Sequence, residues 1–215
     1  MPLAVATQPV FRASFSVLSL WASGRRDEAV KSYFKLDRVE TDAMREGKMF
    51  HAQWERETEE TGCLPVVFGG ARLINPKTEV KLEHMVEPWL QLVTVFDNID
   101  EPTIHEYKSG RTPSSDYTNS FQPKVYGLMA KLKEFNVDRC MIHHHNQHTG
   151  KSDSAWCWIT DKSNQDALDW LITYASEMVD YFNEHNLWSL GKSAWEAEPD
   201  EEMLMADIEV ALEEI

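Results

Sequence analysis

Thr103-Ile104-His105-Glu106-Tyr107-Lys108-Ser109-Gly110 is the stretch whose reading decides the architecture of this chain. In extended backbone, residues two apart face the same way, so Glu106 and Lys108 project together while Tyr107 points to the other side. Upstream, Leu90 to Phe96 alternates in the same manner and runs into Asp97, and Asn98 to Pro102 turns the chain back antiparallel. Near-opposite residues on paired strands stand about 4.5–5.5 Å apart. Asp97 and Glu106 are therefore expected to converge, with Lys108 alongside. Two carboxylates plus a backbone carbonyl are what a hard divalent ion such as Mg²⁺ requires. Taken alone, however, Glu-x-Lys is also what an ordinary surface hairpin with a Glu–Lys pair displays.

Working outward, Val80 to Val86 reads as a further strand before this pair, and the charged, Gly- and Pro-poor stretch Leu36 to Thr61 reads as one long helix or two end to end. Gly62 ends it. Ser14 to Ala22 is a short apolar lead-in, helical or extended. Ser109 to Asn119 is a loop, after which Phe121, Val125, Leu128, Leu132 and Phe135 recur at helical spacing. Ser120 is the expected cap of that helix, with Pro123 tolerated in its first turn. Arg139 to His145 and Ala155 to Thr160 are strands, and Ser163 caps a helix running to about His185. Asn186 to Pro199 is a linker, and Glu201 to Glu214 a short acidic helix. The order α-βββ-α-β-β-α predicts an α/β fold with a mixed central sheet flanked by helices.

The chain has 215 residues, 42% hydrophobic and 11% aromatic, enough for one domain with a sizeable core; global disorder is excluded. No stretch approaches the roughly 20 apolar residues of a membrane span. Cys63, Cys140 and Cys157 are odd in number and far apart, which excludes a disulfide framework and fits a reducing compartment. A cytoplasmic, soluble protein is the expectation. Net charge is −15, yet nine acidic residues and no basic one fall in 196–215, leaving −6 for the rest. Residues 1–190 are read as one domain and 191–215 as an acidic tail, able to bind a partner or to cover a basic groove. Between Tyr107 and Arg139 the balance reverses, with Lys108, Arg111, Lys124, Lys131, Lys133 and Arg139 outnumbering the acids.

Four motifs in order resemble the RecB-like nucleases of the PD-(D/E)XK superfamily. They are Ser14 to Trp21; Glu46-Gly47-Lys48-Met49-Phe50-His51; Phe96-Asp97 with Glu106-Tyr107-Lys108-Ser109-Gly110; and Gln122-Pro123-Lys124-Val125-Tyr126. The resemblance spans about Ser14 to Trp188 and implies a restriction-endonuclease-like core. It implies His51, Asp97, Glu106 and the carbonyl of Tyr107 as ligands of Mg²⁺ or Mn²⁺. Lys108 would be the catalytic lysine, and Gln122 and Tyr126 would shape the site and contact the scissile strand. Glu55, one turn beyond His51, would help through water. Val95 replaces the Gly that usually precedes the first Asp by two residues, and the second acid is Glu rather than the commoner Asp. Some relatives hold an iron–sulfur cluster on four cysteines; three scattered ones predict none here. No Walker-type phosphate loop is present.

The implied activity is a metal-dependent DNase, an exonuclease of recombination, repair or phage DNA processing, acting at a DNA end or single strand. Phosphate contacts would come from Lys108, Arg111, Lys124, Lys131 and Lys133, with little sequence preference. The competing reading is a catalytically silent protein of the same fold that binds or inhibits through its acidic tail. A sequence-specific endonuclease lacks any visible target-recognition domain. His143-His144-His145 with His148 suggests zinc, but on a strand His144 faces away from the other two, so a strand end near the groove or plain surface is the plainer reading. Trp156, Trp158, Trp170 and Trp188 are expected to pack in the core and at edges rather than stack on bases.

Overall fold

The strand Leu90–Asp100 is buried along both faces, the mark of a central strand, and the sheet is organised on it. The computed structural model describes residues 9–36 and 41–190. In chain order its elements are β1 (Phe11–Ala13), α1 (Phe15–Ala22), α2 (Arg26–Phe34), α3 (Asp42–Thr61), β2 (Lys77–Glu87), β3 (Leu90–Asp100), β4 (Thr103–Ser109), α4 (Ser114–Thr118), α5 (Gln122–Leu132), β5 (Arg139–Asn146), β6 (Lys151–Trp158) and α6 (Asp161–Glu184). The mixed α/β core with helices on both faces of the sheet is as expected. The acidic helix of Glu201 to Glu214 and most of the linker lie outside the described residues. No helix among the described residues is long and apolar enough to cross a membrane.

β2 pairs antiparallel with β3 over the whole length of one edge, from Lys77↔Ile99 to Glu87↔Leu90. The other edge is shared. β1 runs parallel to its first residues (Phe11↔Leu90 to Ala13↔Leu92), and β4 pairs antiparallel only with its last (Asn98↔His105 to Asp100↔Thr103). Among the described residues, Val93 to Asp97 thus has no strand partner on that side, and the sheet opens there. β4 continues parallel to β5 from Thr103↔Arg139 to Ser109↔His145, and β5 pairs antiparallel with β6.

One face of the sheet packs on α1, α2, α5 and α6 through Leu18, Tyr33, Val125, Met129, Leu171 and Phe182. A smaller cluster on the other side joins Trp54 of α3 to Leu64, Leu73 and Tyr107. α3 is a single helix through Gly47; a Cβ there would stand 3.3 Å from the Ser109 hydroxyl, so the glycine admits the end of β4 against the helix. Its ends are set by Thr41, whose side chain accepts from Met44 N, and by Gly62 in the left-handed conformation.

Several expectations are corrected. Thr160, not Ser163, caps α6; Ser163 is the reciprocal partner three residues on, completing a capping box. Phe121 rather than Ser120 occupies the cap position of α5, because the chain enters that helix directly from α4. α4 itself sits inside the expected loop, β6 begins four residues earlier than expected, and β1 and α2 were not anticipated. α2 buries only Ala29, Tyr33 and Phe34 of a polar sequence.

Candidate active site

The opening in the sheet is where the chemistry gathers. Glu106 and Lys108 lie on the same face of β4, and the Lys108 ammonium donates to Glu106 Oε1 at 2.5 Å. Gln122, the first residue of α5, donates from Nε2 to the same oxygen at 2.7 Å and to the Tyr126 hydroxyl at 2.9 Å. That pairing one turn apart is what the four-residue spacing of Gln122 and Tyr126 provides. Glu106 is 3% exposed, and its second oxygen, Oε2, is buried with no hydrogen-bond partner among the described residues. Burial and the nearby Asp97 charge push the Glu106 carboxyl up to about 7.

Asp97 stands where β3 and β4 part. Its side chain takes over a ladder role, accepting the Tyr107 backbone N–H at 2.6 Å. His51, on the inward face of α3, brings Nδ1 to 3.6 Å from Asp97 Oδ1. Burial works against the His51 imidazolium, but Asp97 outweighs it and raises the pKa above the usual value. Burial likewise opposes the Asp97 charge, and His51 and Lys108 more than offset it, so the carboxylate stays ionised. For Lys108, burial favours loss of the proton while Glu106 and Asp97 retain it; the net effect is upward. Lys108 is thus an ammonium here, suited to orienting a ligand rather than accepting a proton.

Sequence reasoning foresaw six of these side chains in one place: His51, Asp97, Glu106, Lys108, Gln122 and Tyr126. Tyr107 directs its side chain to the opposite face, where the ring stacks on Phe68, leaving only its backbone on this side. Among the described residues, no three His, Cys, Asp or Glu side chains already close on one point as metal ligands. The orphaned Glu106 Oε2, buried near an ionised Asp97, is nonetheless the kind of group a hard cation satisfies.

Two residues near the site were missed. Glu79 lines a small cleft with His51, Glu55, Asp97 and Tyr107. It precedes the strand start read at Val80, and extending that hairpin by one residue would have set it across from Asp97. Burial, then Glu79 and Glu59, push Glu55 up to about 7. Tyr117 of α4 was hidden in a segment too short to show periodicity; its ring lies 5.4 Å from the Lys108 ammonium.

The expected phosphate-binding cations sort into two groups. Lys124 pairs with Asp166 at 3.2 Å and Lys131 with Asp161 at 2.6 Å, both across to α6. Lys133 caps α5 eleven residues beyond Gln122, about 16 Å along the helix from the site. Arg111 is exposed, three residues past Lys108.

The histidine run does lie at the end of β5, beside the β4 residues of the site, but His143 and His144 are buried rather than surface. Its rings meet β6 side chains in successive register: His143 Nδ1 to Ser154 at 2.9 Å, His144 Nδ1 to Asp153 at 3.2 Å and His145 Nδ1 to Ser152 at 2.9 Å. His143 is buried against His105 and Phe68, and burial followed by the His105 charge holds it down at about 3. Its folded pKa lies below the unfolded value of about 6.5, so its contribution is complete above that pH and is lost as acid protonates the unfolded chain. Glu55 and Glu106 titrate in the opposite sense, so the informative quantity is a difference. His143→Asn should gain on wild type by about 1.4 kcal/mol per pH unit between roughly pH 6 and 4 in urea titrations. A difference independent of pH would contradict a neutral, buried His143.

Trp170 packs as expected, stacked on Phe121. Trp156 and Trp158 pack at an edge, edge to face with each other on the outermost strand β6, where they stay 50% and 55% exposed.

Solved structures of similar shape bear on this arrangement. An alkaline exonuclease from Laribacter hongkongensis, LHK-Exo, superposes with a TM-score of 0.50 over 82% of this chain and 93% of its own, at 9% identity. The fold is that of the PD-(D/E)XK nucleases. LHK-Exo in complex with dAMP gives a TM-score of 0.47 over 81% of this chain and 93% of its own, at 11% identity. No protein-family model and no curated protein sequence matches the chain.

Proposed function

We propose that this chain is a metal-dependent DNase that hydrolyses phosphodiester bonds, working as an exonuclease in DNA recombination, repair or phage DNA processing. The observation that carries the reading is the buried, half-unpaired Glu106 carboxylate set beside Asp97, His51 and the Lys108 ammonium. Asp97, Glu106 and the Tyr107 carbonyl would hold Mg²⁺ or Mn²⁺ with hard oxygen donors, and His51 would add a nitrogen. Such an ion supplies charge neutralisation at the phosphate and a more acidic bound water.

The chain's own groups do the rest. Gln122 fixes the Glu106 carboxylate by donating to one oxygen, which leaves the other free to face the reaction centre. Lys108, held as an ammonium by two carboxylates, is placed to orient water and to stabilise charge growing on a phosphate oxygen. Tyr126, buried beside these acids with its pKa pushed well above the ordinary value, remains a neutral phenol that anchors Gln122. The shortage of free cations around the site favours a strand end or single strand over broad contact with duplex.

The test is cleavage of end-labelled linear and closed circular DNA with Mg²⁺ or Mn²⁺ supplied. Degradation of linear but not circular substrate is the expected result. Cutting of both makes it an endonuclease, and silence on both returns the case to a non-catalytic binder.

A further inference from the structure

His144 is the member of the histidine run that faces the active-site side of the sheet, in register with Lys108. His144 is 2% exposed, and its ring lies between two oxygens: Nε2 is 3.1 Å from the Gly110 carbonyl and Nδ1 3.2 Å from Asp153 Oδ2. The other oxygen of Asp153 accepts the backbone N–H of Ser114, the first residue of α4, at 2.9 Å. Gly110, His144, Asp153 and Ser114 thereby form a closed circuit that fixes both ends of Arg111-Thr112-Pro113. Gly110 is further tied to β5 through its N–H to His145 O at 3.3 Å, and it adopts a φ of 120°, a region closed to most side chains.

Two groups depend on this circuit. Arg111 stands on the clamped segment, exposed and paired with no described carboxylate, unlike Lys124 and Lys131. Tyr117 lies one turn along α4 from the anchored Ser114, with its ring against Lys108. A guanidinium on a free loop loses backbone entropy for each residue ordered on binding, and a loop already held at both ends avoids that loss.

We propose that the His144–Asp153 pair is a positioning clamp that presents Arg111 to a phosphate of the substrate strand next to the scissile one, with Tyr117 walling the far side of Lys108. This rests on the nuclease reading, for it names the strand-binding rim of that site. The guanidinium is the phosphate ligand; His144 and Asp153 act through it.

Anisotropy titrations of a short fluorescein-labelled single strand, with the full chain in EDTA and over a range of salt, test the clamp apart from cleavage. Arg111→Ala should weaken binding about 5–10-fold and flatten the salt slope by about 0.7, the value of one single-strand phosphate contact. Asp153→Ala should reproduce both changes, Asp153→Asn should restore them, and Arg111→Ala/Asp153→Ala should bind no more weakly than Arg111→Ala. Losses that add, an unaltered slope in Asp153→Ala, or no binding by wild type overturn the proposal. A chain that shows this coupling but never cuts DNA keeps the clamp and loses the nuclease reading. One that cuts DNA with Arg111→Ala binding like wild type does the reverse.

Discussion

Lys108→Met is expected to cut the single-turnover rate of DNA cleavage by about 10³-fold, within the range for removing a group that acts on a proton or charge in the transition state. Methionine keeps most of the aliphatic stem that packs between Glu106 and Tyr117 and removes only the ammonium. Folding should survive, because Glu106, already raised to about 7, can take up a proton once its cation is gone. Affinity for a single strand should fall far less than the rate, since the substrate strand would be gripped elsewhere. Rates within about 10-fold of wild type would remove Lys108 from the chemistry and with it the main reason for placing the reaction at this opening.

Trp54→Ala carries the largest expected cost in stability, about 3–5 kcal/mol, seen as a fall of about 10 °C in Tm. Trp54 is 1% exposed and touches Phe50, Phe68, Tyr107 and His145, so it is the main weld between α3 and the sheet. The cavity would also free the helix that carries His51, so activity should fail before the protein melts. Trp156→Ala, at a half-exposed edge position, should change stability by under about 1 kcal/mol. Equal effects from the two substitutions would contradict the packing described.

The difference between those two tryptophans also shows what was legible in the sequence. Both sit in amphipathic patterns, but only tertiary neighbours decide that Trp54 is enclosed by a second small core while Trp156 lies on an edge strand. The β3–β4 hairpin was readable because alternation fixes which residues share a face, and Asp97, Glu106 and Lys108 follow from it. Gln122 and Tyr126 came from the resemblance to a Gln-x-x-x-Tyr motif, with helical spacing adding only that the two share a face. The clamp was not readable: the antiparallel pairing of β5 with β6 sets His144 beside Asp153, but Gly110 and Ser114 reach them only through the parallel pairing of β4 with β5, which no local pattern announces. β1 escaped because three residues are too few to show alternation, and α4 because five are too few for a helical repeat.

That brief first strand governs the order in which the molecule can assemble. Phe11 is wholly enclosed, beside Leu90 across the ladder and with Phe182 of α6 5.9 Å from its ring. Its partners are translated some eighty and then some hundred and seventy positions later. On the ribosome the segment must therefore wait, its apolar side chains unsheltered, until nearly all the described chain has emerged. Closure of the sheet is a late event, and chaperone dependence during synthesis should concentrate on this amino-terminal stretch.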